Sequence, residues 1–479
     1  MPVSYPVTAY SVLNALGNTT RDVVASLRAG KTGLGPCPLE LPFEAPTGAV
    51  RGPLPPLAGG LAAHDSRTAR LAIAGLDEIL PAVRRAVARH GAARVGLVVG
   101  TTTAGLARTE AAYRERGRAG TLPADYDLHR QHSFGGMLEA IRRAAGVEGP
   151  CTVVSTACSA SAKAACNAIR LLGAGVVDAV IVGGVDGLCQ TTLRGFHSLE
   201  ILSPEACRPF SSARRGISIG EGAAYLLIER DGDAAVVLRG GGESSDAYHM
   251  TAPHPEGAGA LAAMRAALDQ AGCRPDEVDY INAHSPGTKL NDLSEGRAVV
   301  TLFGGAVPIA STKGYTGHLL GAGGATEAVF SVVAIEEGWI PASVGSDPVD
   351  AELGLDVPIA RRDRPCRNVL SNSFAFGGSN VSLLFGAAGG GDRDGALDAR
   401  VSDARRLAGG AARARRRRAA VPPDRPAAPP AEPAHRHGGR GRRAGQRRGR
   451  RVARARADRR RVGVRRAGDD HRDVERDRR

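Results

Sequence analysis

Residues 153–172 read VVSTACSASAKAACNAIRLL, and no other stretch limits the fold as much. A β-branched run gives way at Cys158 to Ala-rich, helix-forming sequence. Ser155 and Thr156 stand where N-cap residues would, and Gly173 stands where the helix should stop. The reading is a buried strand, a sharp turn and a helix with Cys158 in its first turn. The free N–H groups and dipole of a helix start favour a thiolate over a thiol. They equally favour an oxyanion forming on a carbonyl that the sulfur attacks. The competing reading is a buried structural cysteine.

Around this stretch, apolar runs alternate with helical patterns. Strands are expected at 95–100, 151–157, 178–184 and 223–230, then at 234–240, 278–283 and 308–312. Helices are expected at 66–90, interrupted near Pro81, across the polar region 106–146, and at 257–272, 293–303 and within 313–337. Two β-rich runs in 368–385 flank Gly377-Gly378, the mark of a hairpin. The alternation predicts an α/β fold with central sheets, in two halves alike in architecture rather than in residues. The halves are placed at 1–233 and 234–387.

Charge separates off the rest. Of 63 Lys and Arg, 29 lie beyond residue 390, all Arg, with 12 of the 49 Asp and Glu; the tail carries +17 and residues 1–390 carry −3. The segment 388–479 is Arg-, Ala-, Gly- and Pro-rich, and beyond residue 390 it has no Lys, Ile or aromatic residue. Such composition builds no core, so a disordered tail is expected. The abrupt change also looks like GC-rich coding sequence read out of frame. Arg runs contact phosphates nonspecifically, but without stacking aromatics no nucleic-acid role is expected. Eight scattered cysteines form no CxxC pair, which fits free thiols in a reducing, cytoplasmic setting. No apolar run is long enough to span a bilayer.

The later half supplies polar chemistry. NAHSPGTKLND places His284 just past a buried strand, and STKGYTGHLLGAGGATEA places His318 in a glycine-rich segment leading into a helix. A helix-initiating cysteine and two imidazoles are what acyl transfer needs: a nucleophile, oxyanion donors and carbonyl hydrogen bonds. Lys313 and Glu327 can hold charge and orientation there.

These motifs, STACSAS, NAHSPGTKLND, KGYTGHLLGAGGATE and NSFAFGGSN, give residues 5–386 a resemblance to the elongating, Cys-His-His β-ketoacyl-acyl-carrier-protein synthases. The wording of VSTACSASAK and CRPFSSARRGISIGEGAA is most similar to ketosynthases of aryl-polyene pathways. The resemblance implies a thiolase-like fold, its two halves forming a layered α-β-α-β-α core. It implies decarboxylative condensation of malonyl-carrier with a Cys158-bound acyl chain in fatty acid, polyketide or aryl-polyene synthesis. It further implies that His284 and His318 bind the malonyl thioester carbonyl, with Lys313 and Glu327 as their supporting pair. Phe376 becomes the gate, its N–H forming the oxyanion hole with that of Cys158. Thr288 contacts the phosphopantetheine arm, and Phe374, Gly377 and Gly378 line the substrate path. No cofactor is expected, since that arm arrives on the acyl carrier protein. A homodimer is expected, with a heterodimer as the alternative. Rival readings are a non-catalytic chain-length-factor-type partner, which usually lacks the nucleophile, and a CoA-dependent thiolase-like acyltransferase.

Two departures stand out. Ser285-Pro286 replaces the usual Gly-Thr after the first histidine, removing a hydroxyl and a backbone donor. Ala375 replaces a glycine beside the gate.

Overall fold

The computed structural model describes residues 4–389; residues 1–3 and 390–479, which include all but the first two residues of the tail expected to be disordered, lie outside the described residues. The first half contains β1 (Tyr5–Asn14), α1 (Thr20–Arg28), α2 (Arg67–His90), β2 (Val95–Gly100), α3 (Leu106–Ala119), α4 (Leu128–Gln131), α5 (Phe134–Ala145), β3 (Cys151–Val154), α6 (Ala160–Gly173), β4 (Ala179–Asp186), α7 (Gln190–Ser198) and β5 (Gly222–Glu229). The second contains β6 (Val236–Ser245), α8 (Ala258–Ala271), β7 (Tyr280–Asn282), α9 (Lys289–Phe303), β8 (Ile309–Ala310), α10 (Lys313–Thr316) and α11 (Gly323–Glu337). It then adds a ribbon of β9 (Trp339–Ile340) and β10 (Arg362–Asp363), and the hairpin β11 (Asn368–Phe374) and β12 (Ser379–Ala387).

One pairing scheme occurs twice. The first half runs β3-β2-β4-β5-β1 and the second β8-β7-β11-β12-β6, in both cases parallel, parallel, antiparallel, antiparallel. The halves join edge to edge through Tyr5↔Leu238 and Pro6↔Val237. α6 and α11 touch strands of both halves and form the middle layer. The largest core cluster surrounds them, with Val182, Leu226, Val329, Phe330, Leu383 and Phe385. α2 and α5 cover the outer face of the first half, and α8 and α9 that of the second. This is the five-layered arrangement that the resemblance implies, and the Gly-Gly hairpin forms as expected.

Three local expectations change. α2 runs through Pro81 unbroken, because the proline and the Asp77 carbonyl it orphans sit on the exposed face, where water replaces the lost bond. β3 is an outermost strand with only Val154 buried. α6 begins at Ala160, with Ser159 at its N-cap position making no side-chain cap, so Cys158 precedes the helix instead of opening it.

Candidate active site

The repeated scheme places Cys158 and His318 in equivalent loops. Cys158 lies between β3 and α6, and His318 between β8 and α11. Each loop carries a non-glycine residue in the left-handed region, Ala157 (φ 50°) before the cysteine and Leu320 (φ 50°) after the histidine. Such backbone costs about 1–3 kcal/mol and persists where surrounding contacts over-determine it. α6 lies so close to its sheet that a Cβ on Gly100 would come within 2.2 Å of Ser161 N.

The loops meet. His318 Nε2 is 2.9 Å from Cys158 Sγ. The His284 ring lies 5.3 Å from that of His318, at 82°, and 6.2 Å from Phe374. One donor atom from each of Cys158, His284 and His318 falls within 4.8 Å of the others. The backbone N–H groups of Phe376 and Cys158 favour negative charge on the sulfur. Phe376 sits on the β11–β12 turn, half-buried, its ring 6.1 Å edge-on from Phe196 of α7. Gly377, φ 82° and exposed, makes that turn possible, and Gly378 is buried behind it. Ala375 has an extended φ of −115°, so the alanine beside Phe376 carries no strain in this conformation.

Burial sets the protonation states. It pushes the Cys158 thiol up to about 12, against the Lys313 charge and the N–H of Phe376. The expected preference for a thiolate is therefore corrected. The sulfur sits ahead of the helix, and removal from water outweighs the charges around it. Burial and Lys313 hold both histidines well below the ordinary imidazole range, so both are neutral at pH 7. Lys313 pairs with Glu327, both fully enclosed. Burial lifts the Glu327 carboxyl to about 7 against that partner.

The site brings together Cys158, His284, His318, Lys313, Glu327, Phe374 and Phe376. Thr288 stands apart, half-exposed at the N-cap position of α9. Three buried acids escaped the sequence reading. Glu295 accepts from His284 N (3.0 Å), Ser285 N and Oγ (2.7 Å each) and Asn372 Nδ2 (3.0 Å), fixing the peptide that carries His284. Asp292, one turn earlier on α9, accepts from Gly287 N and Phe210 N, and burial lifts it to about 7. Asp186 receives the Thr101 and Thr103 hydroxyls and the Thr102, Thr103 and Gly321 amides, tying the loop after β2 to the His318 loop. The available signals were the Asp292/Glu295 i,i+3 spacing and a lone charge closing the apolar run VIVGGVD.

Sulfur and two imidazoles are also a donor set for a soft divalent ion. The 2.9 Å Nε2–Sγ contact fits a hydrogen bond better than the edge of a zinc tetrahedron, about 3.5 Å from ordinary Zn–N and Zn–S lengths.

Comparison with known proteins points to one family. Residues 6–234 match the family described as beta-ketoacyl synthase, N-terminal domain, and residues 235–347 match beta-ketoacyl synthase, C-terminal domain. Nodulation protein E of Rhizobium meliloti (strain 1021) is 33% identical over 411 residues, 79% of this chain and 98% of that protein. A 3-oxoacyl-[acyl-carrier-protein] synthase 2 of Staphylococcus aureus is 38% identical over 257 residues, 50% of this chain and 64% of that protein. Among solved structures, the ketosynthase ApeO of Xenorhabdus doucetiae, in complex with its chain length factor ApeC, is 39% identical. It aligns with 80% of this chain and 98% of its own at a TM-score of 0.76.

Proposed function

The chain belongs to the β-ketoacyl synthase family, and from that premise we propose that it condenses malonyl-acyl-carrier-protein with an acyl chain carried on Cys158. The observation that carries this reading is the convergence of one thiol and two neutral imidazoles within 4.8 Å of one another.

In the first half-reaction the Cys158 sulfur attacks the acyl-carrier thioester. The C–S bond to the carrier breaks, and the thiol proton ends on the released carrier thiol. Either imidazole can carry that proton, since His318 Nε2 is 2.9 Å from the sulfur and a ring nitrogen of His284 lies within 4.8 Å of it. The N–H groups of Cys158 and Phe376 take up the oxyanion. In the second half-reaction His284 and His318 donate N–H to the malonyl thioester oxygen, the same ring nitrogens serving as donor or acceptor according to tautomer. Carbon dioxide leaves, and the enolate carbon bonds to the acyl carbon. The Cys158–acyl bond breaks and the sulfur regains a proton from solvent. Neutral imidazoles suit this step, because the substrate oxygen needs a donor that burial does not penalise. The Lys313–Glu327 pair keeps both histidines neutral and in place. No metal or resident cofactor takes part, the arm being delivered on the carrier.

The partner proposed besides the carrier is a second copy of the chain. Among the described residues nothing pairs with the outer edge of β3, and Tyr113, Leu122, Leu128 and Phe134 of the neighbouring helical region are exposed. A chain-length-factor subunit in that place is the second reading, favoured by the Xenorhabdus relative solved with one. The boundary between halves is proposed at 233/234, and the pathway as one of fatty acid, polyketide or aryl-polyene type. No helix among the described residues is long and apolar enough to cross a membrane.

Mass spectrometry after incubation with acyl-carrier substrate tests the function. Acyl mass confined to the Cys158 peptide, with ketoacyl product on adding malonyl-carrier, is the expected result; mass on another residue, or none, contradicts it.

A further inference from the structure

Asp186 closes β4 with a fully buried carboxyl group that accepts from two loops at once. Its Oδ1 accepts from the Thr101 and Thr103 hydroxyls (2.9 and 2.7 Å) and from the Thr102 and Thr103 amides (2.9 and 2.7 Å). Its Oδ2 accepts from Thr102 N (3.0 Å) and Gly321 N (2.7 Å). Burial raises its pKa against these donors, so a charge kept here is costly and needs every one of them.

The Oδ2 contact reaches the turn behind His318. The His318 ring meets Cys158 Sγ through Nε2, but its buried Nδ1 has no hydrogen-bond partner among the described residues. The ring is therefore aimed by its backbone. On one side His318 N donates to Ser218 O (2.7 Å) and Gly220 N donates to His318 O (2.9 Å). On the other side stand Leu320, in the left-handed region at φ 50°, and Gly321, whose N–H ends on Asp186. A strained residue of this kind persists only where its neighbours hold it. The fit is tight: a Cβ on Gly321 would lie 2.8 Å from Asp186 Oδ2 and 2.8 Å from the Thr101 backbone. The Asp186 charge also opposes ionisation of the Cys158 thiol, where Lys313 acts the other way.

We propose that Asp186 is a positioning residue for the decarboxylation step: by holding Gly321 N it keeps the strained turn behind His318 closed and the imidazole aimed at the reacting carbonyl. The inference rests on the ketosynthase reading and adds to it a residue that acts through His318.

Asp186→Asn is the diagnostic variant. Its amide oxygen can still serve the four donors of Oδ1, but the amide nitrogen then confronts the Gly321 N–H, donor against donor. Gly321→Ala breaks the same contact from the loop side. In each folded variant carbon dioxide release from malonyl-carrier should fall about tenfold to hundredfold, the size of one hydrogen bond to a charged group, while acyl transfer to Cys158 changes less than about threefold. The double variant should lose little more than the worse single one, since both remove one contact. Alkylation of Cys158 by iodoacetamide should also shift to lower pH in Asp186→Asn, because a charge facing the thiol is gone while Lys313 and the neutral His284 and His318 remain. A merely structural role would not move that profile. Equal losses of both half-reactions, or an unmoved alkylation profile, overturn the proposal. If Asp186→Asn does not fold, the split between half-reactions in Gly321→Ala decides alone. Wild-type protein that forms no acyl-enzyme overturns the ketosynthase reading instead.

Discussion

The loop from β3 to α6 and the loop from β8 to α11 occupy the same place in two copies of one pairing scheme, yet their surroundings differ. The β8 edge is closed by its own chain, Ile309 N donating to Asp356 O at 3.0 Å. All twelve residues 323–334 of α11 are buried. The β3 edge is open, and α6 keeps an exposed face bearing Asn167 and Arg170. The first half thus leaves an edge for a second copy of the chain beside the loop of its reactive group, and the second surrounds its imidazoles with a closed polar interior. The difference teaches a division of labour. The nucleophile must meet a bulky thioester, whereas the histidines need a dry, fixed charge environment in which to stay neutral.

The largest expected effect removes the chemistry of the open half. Cys158→Ser should lower condensation by at least about 10³-fold, because a hydroxyl is a far weaker nucleophile than a thiol. Product formation by mass spectrometry reads this; near wild-type turnover would break the comparison at its first term. Next come the two ion pairs. Lys313→Ala leaves Glu327 unpaired in the closed half and should cost about 3–5 kcal/mol of stability. Lys163→Ala on α6 removes a half-exposed contact to Glu243 (3.2 Å) and should cost less than about 1 kcal/mol. Urea titrations giving equal losses would erase the distinction.

The edges give a third contrast. Thr152→Lys, on exposed β3, should shift the assembly toward monomer in native mass spectrometry, since lysine blunts an open edge. Glu352→Lys, on the exposed turn beside the segment that closes β8, should leave it unchanged. A smaller effect concerns pH. Depressed imidazole pKa values mean that the neutral, working form persists below pH 6.5. Any acid limb in decarboxylation between pH 8 and pH 6 should therefore follow Glu327, lifted to about 7, and vanish in Glu327→Gln, whereas a limb near 6.5 that survives in that variant would place charged histidines in the site.

Much of this was legible in the chain. The strand–turn–helix around Cys158, the positions of His284 and His318 past strand ends, and the Gly-Gly hairpin all follow from local pattern. What escaped depends on burial and pairing, which local sequence does not encode. The pattern VVST reads as an interior strand, but only the sheet order shows that β3 is outermost. Helix-forming composition begins at Cys158, yet Ala157 turns into the left-handed region and delays the helix to Ala160. The thiol's high pKa reflects how deeply the two loops enclose it. Glu295 reads as a surface helix residue until the β7–α9 loop closes over it.

The division of labour is tested most directly by measuring acyl-enzyme formation and carbon dioxide release side by side in Cys158→Gln and His318→Ala. The amide of Cys158→Gln imitates the acylated sulfur and spares the imidazoles, so that variant should form no acyl-enzyme yet release carbon dioxide from malonyl-carrier. His318→Ala should still acquire the acyl group on Cys158 but release no carbon dioxide. Loss of both activities together in each folded variant would contradict the account.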